Sequence, residues 1–183
     1  MAFWDWIALC TGVLGVVLTI FENIWCWPMA QVSVIISIIS FYKQRLYGDM
    51  CLNIFYFFTG IYGWYYWNRH KAVAFKVSRL PLKHIPLILL SIGAQSLLYY
   101  YILNYFNSDQ VILDSILTAS SLTCTYLMTK KWVENWLLWV VIDGAYVFLY
   151  IGKEMPTYAI LNVFFTLMAA YGFYSWKKQL YKP

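Results

Sequence analysis

The chain is 183 residues long, 62% hydrophobic and 21% aromatic, with only 11% of its residues charged. A soluble domain carries about 25% charged residues, so an ordinary cytosolic fold, a disordered chain and a coiled coil are all excluded. The net charge of +5 reads as basic residues gathered on the cytoplasmic side of a membrane protein rather than as a nucleic-acid footprint.

A spanning helix needs about 20 residues, which leaves no room for a large extramembrane catalytic domain. The N-terminus, Met1 to Trp6, lacks the basic region of a cleaved signal. The first apolar stretch, 5–22, therefore reads as a retained span. Six more follow at 28–42, 50–67, 84–106, 111–129, 134–151 and 156–176. Pro28 opens the second in the manner of a first-turn proline. The runs are too long and too uniformly apolar for transmembrane strands. The expected class is an all-α membrane protein of seven transmembrane helices. Its parts are a first three-helix repeat (1–67), a basic loop with a linker helix (68–110) and a second three-helix repeat (111–183).

With seven spans, one side of the membrane holds Arg69, Lys71, Lys76, Arg79, Lys83, Lys130, Lys131, Lys177, Lys178 and Lys182, and the other holds only Lys43, Arg45 and Lys153. This asymmetry puts the C-terminus in the cytoplasm and the N-terminus outside. The two halves also match in sequence. Leu52-Asn53-Ile54-Phe55, Tyr62-Gly63 and Trp67 recur as Leu161-Asn162-Val163-Phe164, Tyr171-Gly172 and Trp176, 109 residues on. Glu22-Asn23 with Trp27 recurs as Glu134-Asn135 with Trp139, 112 residues on. Corresponding positions lie four spans apart, so the expected plan is a parallel 3+1+3 repeat, one of the plans used by transporters.

Asp143 is the sharpest feature. It lies nine residues into the sixth span from Glu134, about 13 Å deep at the helical rise. A carboxylate there costs about 2.5–3.5 kcal/mol on insertion scales, a cost that a wet cavity or a bound cation offsets. Trp136 and Trp139 precede it at helical spacing, and indole faces attract cations. Carboxylate and indoles together suit a flat organic cation. A second stripe in span three holds Asn53, Tyr56, Gly60, Trp64 and Trp67; its counterpart in span seven holds Asn162, Phe165, Ala169, Phe173 and Trp176. An amide in each half, Asn53 and Asn162, could hydrogen-bond a polar ligand. Under the 112-residue offset Gln31 is the counterpart of Asp143, with Ser33 a half-turn on. Glu22, Glu134 and Asn135 sit at span ends, where a carboxylate either caps the next helix or helps to form a gate.

Cys10, Cys26, Cys51 and Cys124 show no metal or disulfide spacing. There is no HExxH, Walker loop or GxSxG. An enzyme is not expected, nor is a metal, nucleotide or other cofactor.

The runs Leu46-Tyr47-Gly48-Asp49, Leu52-Asn53, Tyr62-Gly63-Trp64-Tyr65-Tyr66-Trp67 and Trp132 through Asp143 resemble the PnuC family of vitamin transporters. The resemblance runs from the first span to Trp176. It implies an enlarged relative of the sugar-transporting SWEET proteins and, by analogy, a homotrimer. It further implies facilitated diffusion of nicotinamide riboside across the bacterial inner membrane, followed by trapping through a cytoplasmic kinase. Other branches carry thiamine or riboflavin. Nicotinamide riboside and thiamine are both flat cations, which fits the reading of Asp143 and Trp139. Within the resemblance, Asn53 stands where nicotinamide riboside carriers commonly have Gln, and Ser33 where they often have Asn; at Asp143 the family shows Asn or Asp. The expected binding residues are thus Asp143, Trp139, Asn53, Asn162, Ser33, Gln31, Tyr56 and Trp64. The expected gate is Glu134, Asn135 and Glu22. Thiamine is the alternative cargo, and a vitamin-binding membrane subunit or sensor is the alternative class.

Overall fold

A computed structural model describes residues 3–43, 47–70, 75–105, 110–152, 154 and 156–181. Among them lie seven α-helices: α1 (Phe3–Ile20), α2 (Cys26–Lys43), α3 (Tyr47–His70), α4 (Ile85–Tyr105), α5 (Val111–Thr129), α6 (Glu134–Gly152) and α7 (Pro156–Leu180). Each falls on an expected span, and the largest differences are that α3 starts and ends three residues further out and α7 runs four residues further. Arg45, Lys71, Lys153 and Lys182 of the charge asymmetry, and Leu46 of the family-like run, lie outside the described residues.

Five helices are long and apolar enough to cross a bilayer: α2, α4 with its preceding turn, α5, α6 and most of α7. The expectation of seven spans goes beyond this criterion, which α1 and α3 do not meet. The apolar part of α1 is the short run Trp6–Ile20. α3 has the length, but tyrosine, tryptophan, asparagine and Arg69 fill much of it, and these amphipathic side chains rank as interfacial rather than core-of-bilayer residues.

The chain divides into two compact units, Met1–Lys76 and Val77–Pro183. In the first, α2 is central and packs against both α1 and α3. In the second, α4 packs on α5, α5 on α6 and α6 on α7. Gln95 on α4 donates from Nε2 to Thr123 Oγ1 on α5 at 3.0 Å. Cys124 Sγ on α5 donates to the carbonyl of Asn135 on α6, also at 3.0 Å. A short segment before α4 pairs with the α5–α6 corner: Ser78 N–H donates to Lys131 O and Val133 N–H to Ser78 O.

Internally the two units repeat one construction. In the first, the Trp27 ring occupies the space a Cβ on Gly63 would need, its nearest carbon 2.3 Å from that point. Trp27 meets Trp67 edge-on, with ring centroids 5.5 Å apart at 90°. In the second, the Trp136 ring lies 2.6 Å from the Cβ position of Gly172 and meets Trp176 at 5.4 Å and 88°. All four indoles are buried. Only glycine lets a helix approach a ring this closely, and an edge-to-face pair adds about 0.5–1.5 kcal/mol beyond its buried area.

The helix ends repeat as well. Asn23 N–H bonds Leu18 O and Glu22 N–H bonds Thr19 O, while Trp132 N–H bonds Leu127 O and Lys131 N–H bonds Met128 O. Glu22 and Lys131 take the left-handed conformation, φ 54° and 53°. Both are Schellman C-caps with a non-glycine residue at the position where glycine is usual.

Every one of these pairs, from Glu22 and Lys131 to Trp67 and Trp176, is separated by 109 residues. This corrects the 112-residue match. Trp27 corresponds to Trp136 rather than Trp139, and Glu22 to Lys131 rather than Glu134. In the same register Asp143 corresponds to Val34, and Gln31 to Val140. The chemistry of the two halves is therefore asymmetric although their packing is not.

Gly63→Ala and Gly172→Ala should each destabilise the protein by about 1–3 kcal/mol, the usual cost of overpacking. Gly93→Ala, where nothing lies within 4 Å of the added carbon, should leave the thermal midpoint unchanged or raise it. Midpoints in detergent measure the difference; equal behaviour of the three variants would contradict the ring-on-glycine seat.

Candidate functional site

In the first unit the sequence candidates separate. Gln31 on α2 lies on Gly60 of α3: a Cβ on Gly60 would sit 1.6 Å from Gln31 Nε2. The missing side chain makes a seat for the amide, and Gln31 Oε1 is buried there without a hydrogen-bond partner. Ser33 faces the other way, with Oγ 3.1 Å from the Cβ position of Gly12 on α1. Positions two apart on a helix do not share a face, so Gln31 and Ser33 do not act as one group. Asn53 and Tyr56 are half-buried on α3, each with interaction partners. Trp64 departs from the expected stripe: it is 48% exposed. The buried line of α3 runs through Gly60, Gly63 and Trp67, and Trp64 is one position off it.

In the second unit Asp143 is central. It is 8% exposed in the middle of α6. Among the described residues no hydrogen bond or ion pair engages it; its electrostatic neighbours are Cys124 on α5 and Tyr146 one turn along α6. Trp139 packs with Leu138, Ala145 and Tyr146 against Leu117, Cys124 and Ile142, and its indole Nε1 is buried without a partner. A carboxylate and an indole N–H one turn apart therefore both lack a hydrogen-bond partner among the described residues. Trp136, which the sequence placed on the same face, is instead a packing residue against Gly172 and Trp176.

Asn162 is buried on α7, but it returns its amide N–H to the Tyr158 carbonyl at 2.8 Å. That donor is committed within the helix, which narrows its expected role to the side-chain oxygen. Glu134 Oε2 accepts Leu80 N–H at 2.7 Å, fastening the segment before α4 to the start of α6. Asn135 is fully buried; its Nδ2 donates to Trp132 O at 2.6 Å. Glu22 is the C-cap residue of α1, and the side chain that serves the next turn belongs to Asn23, whose Oδ1 accepts Trp25 N–H at 3.0 Å.

Sequence reasoning missed the face of α5 opposite Asp143. Thr118 and Ser121 are buried there, and the Tyr146 hydroxyl lies beside both. The signal was present: Thr118, Ser120, Ser121, Thr123 and Thr125 make an apolar span rich in hydroxyls.

An all-helical chain with five bilayer-length helices and a buried carboxylate inside one of them has the build of a polytopic membrane transporter. Over residues 2–178 the chain matches the family described as nicotinamide mononucleotide transporter, and it belongs to that family. It is 25% identical to the nicotinamide riboside transporter PnuC of Escherichia coli, covering 90% of this chain and 81% of that one. To the PnuC protein of Neisseria mucosa it is 23% identical, covering 95% and 73%. The fold matches the crystal structure of the vitamin B3 transporter PnuC with a TM-score of 0.79 at 22% identity, over 97% of this chain and 82% of that one. The protein is a membrane transporter and not an enzyme.

Glu134→Ala should leave the half-buried Leu80 N–H without its acceptor, at a cost of about 1 kcal/mol. Hydrogen exchange at the Leu80 amide should quicken severalfold on that scale. Unchanged protection would show that Glu134 does not hold the segment.

Proposed function

We propose that this chain is a uniporter that carries nicotinamide riboside across the bacterial inner membrane. The observation that carries the reading is the buried, unpaired Asp143 one turn from the open indole N–H of Trp139, in a chain whose relatives are named for nicotinamide riboside. The pyridinium ring of that vitamin is a flat cation. A carboxylate in a low-dielectric setting attracts it strongly, and an indole face adds cation–π attraction. The further polar contacts of this reading are Asn53, Tyr56 and the side-chain oxygen of Asn162, with either Ser33 or Gln31. Glu134 and Asn135 form the cytoplasmic gate.

The 109-residue register supports a SWEET-like plan of two parallel three-helix repeats joined by α4, with all seven helices crossing, the N-terminus outside and the C-terminus in the cytoplasm. The divisions are 1–67, 68–110 and 111–183, and the assembly is a homotrimer. Uptake is driven by the substrate gradient, and a cytoplasmic kinase that phosphorylates the vitamin makes it irreversible. Asn53 and Ser33, which differ from the usual residues of nicotinamide riboside carriers, favour thiamine as the second reading of the cargo.

Purified protein in liposomes tests this directly. Labelled nicotinamide riboside should equilibrate across the membrane without a partner protein, and an imposed pH gradient should not change the final level. Asp143→Asn should weaken apparent affinity by about tenfold, the loss of one charge-assisted contact of about 1.5 kcal/mol. Accumulation above equilibrium under a pH gradient would contradict uniport, and unchanged affinity in Asp143→Asn would remove Asp143 from the site.

A further inference from the structure

We propose that α5 and α6 build a hydroxyl-recognising subsite beside Asp143, formed by Ser121, Thr118 and Tyr146, that receives the sugar arm of a ribosylated cation. The proposal rests on the reading of Asp143 and Trp139 given above and extends it to the other end of the cargo.

Tyr146 follows Asp143 by three residues, so the two share a face of α6. Thr118 and Ser121 are likewise three apart on α5, and the Tyr146 hydroxyl lies beside both of their hydroxyls. Serine and threonine inside a helix ordinarily return their hydroxyls to a carbonyl three or four residues back. In α5, Ser115 does so to Ile112 O, Thr125 to Ser121 O and Thr129 to Tyr126 O. Thr123 receives Gln95 from α4.

Ser121 is the exception. It is 1% exposed, and beyond the approach of the Tyr146 hydroxyl its Oγ has no hydrogen-bond partner of full geometry. A buried hydroxyl left in this state carries its full desolvation cost. The indole Nε1 of Trp139, on the same stretch of α6, is also buried and unpaired. Two open polar groups and a carboxylate therefore border one stretch of the α5–α6 interface, and a ligand that pairs them lowers the free energy of the site.

The chemistry of that ligand follows from the groups. Hydroxyls both donate and accept, as the hydroxyls of a sugar do. Asp143 and Asp114 both act on Tyr146 electrostatically, so a phosphate or carboxylate arm is disfavoured by like charge. A purely apolar arm would leave Ser121 unpaired. An uncharged polyol satisfies all three conditions. Nicotinamide riboside carries such an arm, while the arm of thiamine ends in a lone hydroxyl.

The test uses the full chain purified in detergent and calorimetry with two probes. Nicotinamide riboside has the ring cation and the sugar; 1-methylnicotinamide, methylated on the ring nitrogen, has the ring cation alone. In Ser121→Ala and in Tyr146→Phe, which keeps the ring, the riboside should bind about tenfold more weakly, while 1-methylnicotinamide should stay within about twofold of wild type. Thermal midpoints verify that each variant is folded, and the two variants check each other. Unchanged riboside affinity in both folded variants overturns the subsite. Equal losses for the two probes also overturn it, because the hydroxyls would then act only by positioning Asp143. Asp143→Asn separates the two readings: wild-type riboside affinity there, with weakening still seen in Ser121→Ala, would sink the role of Asp143 and leave the hydroxyl subsite standing.

Discussion

An indole ring laid against a bare glycine holds each half of this protein together. Inside a bilayer the hydrophobic effect gives helices little reason to prefer one another over lipid, so close packing must supply the attraction. Trp27 on Gly63 and Trp136 on Gly172 supply it, and Trp67 and Trp176 close each seat from the edge. The seats sit at the first turn of α2 and of α6, and so fix the rotation of those helices about their axes. Every other residue on α2 and α6 is aimed by that choice. Gln31, one turn beyond Trp27, falls onto Gly60; Asp143, two turns beyond Trp136, falls beside Cys124 and Tyr146.

The two halves share their packing and differ in their chemistry. In the common register a valine in the first half stands where Asp143 stands in the second, and an alanine, Ala30, stands where Trp139 stands. The buried carboxylate therefore belongs to one half alone. The first half offers amides instead, with Gln31 Oε1 buried and unpaired. A chain with duplicated scaffolding is free to place a charge in one copy without unbalancing the other, because the ring-on-glycine seats do not depend on what the rest of the helix face carries.

Much of the fold was legible because membrane spans announce themselves. Long apolar runs broken by Lys and Arg located seven helices to within a few residues, and the hydropathy of α5 placed both of its ends. The family-like runs were legible for the same reason, since aromatic clusters such as Tyr62 to Trp67 are distinctive. The register of the repeat was harder. Glu22-Asn23 and Glu134-Asn135 look alike as letters, but one pair closes α1 and the other opens α6. Only hydrogen bonding and backbone φ distinguish a C-cap from a helix start. Trp64 was misplaced because aromatic residues on both faces of α3 blur its 3.6-residue period. Ser121 was overlooked because a serine in a span is ordinarily paired to its own helix, and nothing in the sequence shows when it is not.

The central claim is that the proposed site at Asp143 selects a ribosylated ring cation. Calorimetry on the purified wild-type protein, with nicotinamide riboside and thiamine titrated in parallel and then in competition, addresses it most directly. Saturable binding of nicotinamide riboside that excess thiamine fails to displace is the expected result. Saturable binding of thiamine with none for the riboside would contradict it, and would mean that Asn53 and Ser33 mark a changed cargo.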